Sequence, residues 1–250
     1  MKTYSELESK CSLSFNGSGP YWHLWTPENH PVFLPTRETF MAAMSILAIC
    51  ARLVLEVRII TFQLMTNHIH LTFAGAEEDG MRLFRLFKRY LSRYLKANGI
   101  TVELSFGEVK PRPLLNLQDL RNVITYDNRN GYVVNPDETP FSYPWGANAY
   151  YFNYPAKARY KESRQTLHKL DRRLLIHSHD ADSLSKPIVV VDGYACPKDF
   201  CDIELGESMF RCASHYFREV SRNIETQKEI AKEIGESAFY TDDELFGVVR

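Results

Sequence analysis

Apolar and polar positions alternate in short blocks along the first half of the chain, and the period of that alternation switches between two and about three and a half. Residues 21–26 (YWHLWT) are dense in aromatic side chains and predict a first strand. Thr36 stands where a helix N-cap belongs, with Arg37 and Glu38 in the first turn and Thr39 at the third position. Phe40, Met44, Leu47 and Ala51 then follow at helical spacing. The long β-branched run over 54–65 predicts a second strand; Thr66 and Asn67 break it, and 68–73 predict a third. The clearest helix spans 77–98. Leu83, Phe87, Leu91 and Tyr94 form its packing stripe, Glu77, Glu78 and Asp79 sit at its N-terminal end, and Gly99 lies just past its C-terminal end. That polarity suits the helix dipole and a glycine stop. Residues 101–106 alternate as a fourth strand, and 117–130 predict a helix that ends at Gly131. The order strand, helix, two strands, helix, strand, helix predicts an α+β fold, a sheet with helices on one face.

The second half reads differently. Residues 136–155 are rich in Pro, Tyr and Asn and predict irregular chain. Stretches 162–175, 206–222 and 225–234 predict helices, and Thr241 to Glu244 has a capping-box pattern before a last short one. The chain therefore divides into an N-terminal extension (1–20), a first domain (21–150) and a mainly helical accessory segment (151–250).

Composition narrows the class. The chain has 250 residues, is 44% hydrophobic and 24% charged, and carries a formal net charge of −1. This is a globular composition. A chain near neutrality binds nucleic acid only through local patches. The longest apolar run, around 40–55, is short and interrupted by Arg52, so no membrane span is expected. Residues 1–10 are charged and lack the apolar core of a secretory signal. Five cysteines, Cys11, Cys50, Cys196, Cys201 and Cys212, are odd in number and dispersed. They do not read as a disulfide framework, and a reducing, cytoplasmic setting is expected. Cys196 and Cys201 have no CxxC companion and make a weak zinc pattern.

Three patterns carry chemistry. On a strand, His68 and His70 project to one face, while Ile69, Leu71 and Phe73 face the other. Two adjacent imidazoles can share a divalent metal, although an isolated His-x-His is more often two polar residues on a wet face. A metal reading requires that they not be enclosed by apolar side chains. On the later helix, Tyr126 and Asn130 are spaced i and i+4 and share a face. Alone, that pair also describes a half-buried tyrosine and an asparagine near a helix end. Third, Arg82, Arg85, Arg89, Arg93 and Lys96 are spaced three, four, four and three along the helix over 77–98, with no acid between Gly80 and Val102. Solvated helix faces normally mix signs, so the single-sign stripe reads as a phosphate contact. Two further patterns are decoys. His177-Ser178-His179-Asp180 sits in a Ser/Asp-rich stretch and reads as a loop, and His70-Leu71-Thr72-Phe73 is one half of a paired H-x-T motif whose second copy is missing.

Taken together, these segments resemble the single-tyrosine HUH transposases, closest to those associated with REP palindromes. A typical strand in that family reads M-P-N-H-[VI]-H-L; this chain reads Met65-Thr66-Asn67-His68-Ile69-His70-Leu71. A typical helix carries Tyr-Ile, then Asn-Pro four and five residues after the tyrosine; here Tyr126, Asn130 and Gly131 fill the Tyr, Asn and Pro places. The resemblance covers residues 21–145. It implies a ferredoxin-like HUH sheet and a divalent metal, Mg2+ or Mn2+, held by His68, His70 and Asn130. It also implies Tyr126 as the nucleophile that leaves a 5′-phosphotyrosine on single-stranded DNA bearing a hairpin or palindrome. Relatives act as monomers or as homodimers that exchange the tyrosine helix. Three positions depart from the pattern: Thr66 replaces proline, Asp127 replaces isoleucine, and Gly131 replaces proline. Tyr132 is the alternative nucleophile.

Two rival readings share these residues. One is a DNA-binding protein that keeps the HUH fold without catalysis, which turns on whether Tyr126 points at His68 and His70. The other is a metal-dependent phosphoesterase for small nucleotides, which has no use for the basic stripe.

Overall fold

The computed structural model describes residues 18–134 and 142–221. The N-terminal extension up to residue 17 and the helical patterns at 225–234 and 241–244 lie outside the described residues.

The first half builds a four-stranded antiparallel sheet in the order β2-β3-β1-β4. Its strands are β1 (Tyr21–Trp25), β2 (Arg58–Leu64), β3 (Ile69–Ala74) and β4 (Arg112–Leu114). Helix α1 (Arg37–Leu53) joins β1 to β2, α2 (Glu77–Ala97) joins β3 to β4, and α3 (Leu117–Val134) follows β4. The Thr36 cap closes as a capping box, its side chain accepting from Thr39 N–H while the Thr39 hydroxyl accepts from Thr36 N–H. The class is α+β, as the element order predicts.

The fourth strand differs from expectation. Residues 101–106 do bury alternate side chains, with Leu104 and Phe106 inside. Their burial comes from packing off the sheet: the Phe106 ring meets Phe33, Phe84 and His30. The strand that pairs with β1 is Arg-Pro-Leu, with Pro113 opposite Trp22. Proline lacks a donor and is tolerated there because β4 is an edge.

The expectation of helices on one face is also corrected. Adjacent strand residues face opposite sides of a sheet, and Phe73 and Thr72 make different partners. Phe73 packs on α2, where a Cβ added at Gly80 would stand 2.0 Å from its ring. Thr72 instead hydrogen-bonds Asp127 of α3 at 2.7 Å. So α2 covers the apolar face and α3 covers the other. Across that second face run His23, Thr61, Gln63, His70 and Thr72, in register through the pairs His23↔Thr72, Thr61↔Thr72 and Gln63↔His70. A polar strip in the middle of a sheet is costly unless a polar partner covers it, and the second half of α3 supplies one.

The C-terminal half closes the free edge of β2. Leu64 N–H donates to Trp145 O, Ala147 N–H to Phe62 O, and Asp202 N–H to Ile59 O. Its helices are α4 (Tyr154–Glu162), α5 (Lys169–Ile176), α6 (Pro197–Phe200), α7 (Ile203–Ser208) and α8 (Ala213–Val220), with a two-residue hairpin of β5 (Val190–Val191) and β6 (Tyr194–Ala195). The single helix predicted over 162–175 is interrupted, because Gln165 and Leu167 exchange backbone hydrogen bonds with Val190 and Ile188. The helix predicted over 206–222 likewise splits into α7 and α8. Buried residues of both halves form one continuous core. No helix among the described residues is long and apolar enough to cross a membrane.

Candidate metal centre

The turn between β2 and β3 sets the histidine pair. Met65 N–H donates to His68 O across Thr66-Asn67, and the turn is held from outside because Phe33 and Leu34 N–H both donate to Thr66 O. Asn67 Oδ1 lies 2.8 Å from His68 Nδ1. His68 therefore enters just ahead of β3, and its ring stands edge-on to that of His70, with centroids 5.1 Å apart.

Helix α3 is anchored by Asn116, whose side chain accepts from Asp119 N–H at 2.8 Å. Its first turns bury Leu120, Val123 and Ile124, and its later turns bury Tyr126, Asp127, Asn128 and Asn130. That polar half lies over the polar strip of the sheet. Asn130 Nδ2 donates to His70 Nε2 at 2.7 Å. The Tyr126 ring stands edge-on to His70, with centroids 5.6 Å apart. The structure thus brings together the four residues singled out from sequence, His68, His70, Tyr126 and Asn130. Tyr132 falls on the last turns of α3.

Sequence reasoning missed two members of the cluster and misjudged a third. His23 and His70 are stacked, 5.7 Å between centroids, and both face Asp127 Oδ1, at 3.1 Å from His23 Nε2 and 3.7 Å from His70 Nδ1. Thr72 donates to Asp127 Oδ2. His23, His70 and Asp127 are all fully buried. Asp127, noted in the sequence only as a departure from a family pattern, is the hub of this group. His23 was hidden inside an aromatic strand, and only strand register shows that it lies beside Thr72.

The site is closed: His70 is 0% and Tyr126 1% exposed. Its walls are mixed: the polar groups of Thr72, Asp127 and Asn130 stand beside the rings of Trp25 and Tyr126. Burial holds His70 well below the ordinary imidazole range, with His68 and His23 nearby lowering it further, and pushes His68 down to about 4. Both are neutral near pH 7, which is the form that ligates metal. His23, His70 and Asp127 could hold a metal ion. They form the only such His/Cys/Asp/Glu group among the described residues, and Cys196 and Cys201 do not belong to one. Cys201 is spent otherwise, donating its thiol to Ile60 O. The buried atoms His68 Nε2 and Asn130 Oδ1 have no hydrogen-bond partner among the described residues.

No family model matches this chain, and neither a curated protein nor a solved structure matches it.

The basic stripe is where the sequence put it but not where the site needs it. Arg82, Arg85, Arg89, Arg93 and Lys96 are all exposed on α2. That helix covers the apolar face, so the sheet stands between the stripe and the histidines. Nor is the stripe free of acids in space: Asp180, from the loop holding His177 and His179, lies 3.3 Å from Arg89 and accepts from Tyr90 at 2.6 Å.

The neutral His68 gives a pH dependence with a definite sign. A histidine at 5% exposure that titrates near 4 when folded and near 6.5 when unfolded takes up its proton preferentially in the unfolded chain. Stability is therefore full above about 6.5 and falls as pH drops from there towards about 4, by about 3 kcal/mol at most. Urea midpoints at pH 7 and pH 4.5 should differ in that direction, and His68→Gln should reduce the difference, His70 supplying the remainder with the same sign.

Proposed function

We propose that this protein is a metal-dependent strand transferase for single-stranded DNA, of the single-tyrosine HUH kind, in which Tyr126 is the nucleophile. The observation that carries the reading is the placement of α3. It lays Tyr126 and Asn130 against His70, which stands beside His68, on the polar face of an antiparallel sheet whose strand order is compatible with a ferredoxin-like arrangement. A divalent cation, Mg2+ or Mn2+, would be held by His68, His70 and Asn130, and would supply positive charge against the scissile phosphate. The donor types fit, two imidazoles kept neutral by burial and an asparagine oxygen with no hydrogen-bond partner among the described residues, once the Asn130 amide turns its Oδ1 in place of its Nδ2 towards His70 Nε2.

The chain's own part is then to position and to attack. Tyr126 Oη gives up its proton and bonds to phosphorus; the P–O3′ bond breaks, the O3′ atom takes a proton, and the DNA is left as a 5′-phosphotyrosine ester. Because the ester conserves the bond, a second 3′-hydroxyl can reverse the step and join strands. With His70 and Tyr126 enclosed, a phosphate enters only when α3 shifts from the sheet. Homodimeric relatives of this kind exchange that helix, and either a monomer or a homodimer serves the reading.

The test is incubation of the protein with a single-stranded hairpin oligonucleotide and Mn2+, followed by denaturing electrophoresis. A species carrying protein and DNA covalently supports the reading. The enclosure of the site favours a second one, a DNA-binding protein that keeps the fold without cutting; it predicts a mobility shift under native conditions and no covalent species. DNA contact has its own test. The stripe lies across the sheet from the site and Arg89 already faces Asp180, so it tests a contact separate from the cut: if a strand also runs over α2, Arg89→Ala with Arg93→Ala weakens binding across sequences and reduces the log–log salt slope by about 1.4, at about 0.7 per phosphate for single strands. It should leave sequence preference alone, since backbone contacts carry no base information. An unchanged slope would make the stripe an ordinary solvated face.

A further inference from the structure

We infer that Asp127 is a positioning carboxylate that fixes the tautomer of His70, so that His70 presents its Nε2 lone pair to the cation. The inference rests on the metal-site reading above and adds a residue to it.

The argument starts from what an aspartate can do. An ionised carboxylate only accepts hydrogen bonds, and a fully buried one must be surrounded by donors. Asp127 has three groups available. The Thr72 hydroxyl donates to Oδ2 at 2.7 Å. His23 Nε2 lies 3.1 Å and His70 Nδ1 3.7 Å from Oδ1; neither approach closes as a hydrogen bond among the described residues, so these two rings act on Asp127 through proximity alone. The nitrogen that faces Oδ1 is favoured as N–H on each ring. For His70 that puts the proton on Nδ1 and leaves Nε2 bare.

A second neighbour reaches the same answer independently. On the far side of the ring, Asn130 Nδ2 lies 2.7 Å from His70 Nε2. With the amide in this orientation its NH2 can only donate, so Nε2 accepts. Carboxylate on one side and amide on the other select one tautomer. Its lone pair points at the Asn130 amide nitrogen, and the proposed cation would take that place once the amide turns away. His23 completes the device from below. It stacks on His70 with an interplanar angle of 9° and faces the same carboxylate oxygen. A carboxylate behind a metal-binding histidine orients the ring and raises its basicity. Here it comes from the residue next to Tyr126, so a shift of α3 that moves the nucleophile also moves the carboxylate.

The first measurement needs no variant and no metal. Long-range 15N correlation spectra of the intact protein should show His70 with a protonated Nδ1 and a pyridine-like Nε2; the opposite tautomer overturns the inference. The second is Mn2+ titration by calorimetry. Asp127→Asn should convert His70 to a mixed or Nε2-protonated tautomer and weaken Mn2+ binding about 10- to 100-fold. Thr72→Val, which removes one donor to the carboxylate, should shift both readouts the same way by less, and it serves if Asp127→Asn does not fold. A purely structural Asp127 would lower the melting temperature and leave tautomer and affinity untouched, which also overturns the inference. If the unaltered protein binds no Mn2+, the metal-site reading fails, while the His70 spectra still decide the role of Asp127.

Discussion

Tyr126→Phe should abolish the covalent DNA species while leaving DNA binding nearly intact. The change deletes one oxygen and keeps the ring, so the edge-on packing against His70 survives. The expected stability loss is that of one buried hydroxyl, about 1 kcal/mol, too small to unfold the chain. Removing a nucleophile from a covalent mechanism costs on the order of 10⁴-fold or more in rate, which takes the adduct below detection. The control is His70→Ala, which should also lose the adduct, by losing the cation. Adduct that persists in Tyr126→Phe would move the nucleophile to Tyr132, and a Tyr126→Phe/Tyr132→Phe pair would settle that. Adduct that forms equally well in His70→Ala would separate the chemistry from the proposed metal altogether.

What the sequence made legible was local. The two-residue period places His68 and His70 on one side of a strand, and the i, i+4 rule places Tyr126 and Asn130 on one side of a helix. Both rules act within a single element, and both describe the geometry found here. What it left hidden depends on how elements meet. Nothing in the run from Leu117 to Asn130 says that the helix crosses to the sheet face away from α2. Without that, the basic stripe of α2 and the histidines look like parts of one surface, although the sheet separates them. His23 sits between Trp22 and Leu24 and becomes a site residue only through the register that sets it opposite Thr72. The false strand at 101–106 has the same origin. Alternation reports that one side of a segment is buried, and Phe106 is buried against Phe33 and Phe84 rather than on a strand. The true strand contains Pro113, which propensity argues against and an edge position permits.

The largest stability effect should come from Asn128, one position beyond Asp127. Asn128 is 1% exposed and links three parts of the fold. It accepts from the Thr61 hydroxyl of β2, and its amide donates to the Tyr216 hydroxyl of α8 at 2.8 Å. Tyr216 in turn donates to Asn148. Every donor in that chain has an acceptor, and all four residues are buried. Asn128→Ala strands the Thr61 hydroxyl and removes a donor from Tyr216 while leaving a cavity. Each orphaned buried group costs about 1–3 kcal/mol, so the expected total is about 3–5 kcal/mol, a large share of a typical 5–15 kcal/mol stability. It should appear as a lowered urea midpoint at unchanged m-value. Tyr216→Phe should cost less, because the phenyl ring keeps its packing against Tyr151 and Phe210. The double variant should fall short of the sum, since both changes break the same chain. An Asn128→Ala loss within about 0.5 kcal/mol, the range of an ordinary surface change, would mean that this network does not hold α3 to the sheet. The placement of Tyr126 and Asn130 over His70 would then have to rest on the apolar turns around Leu120, Val123 and Ile124 alone.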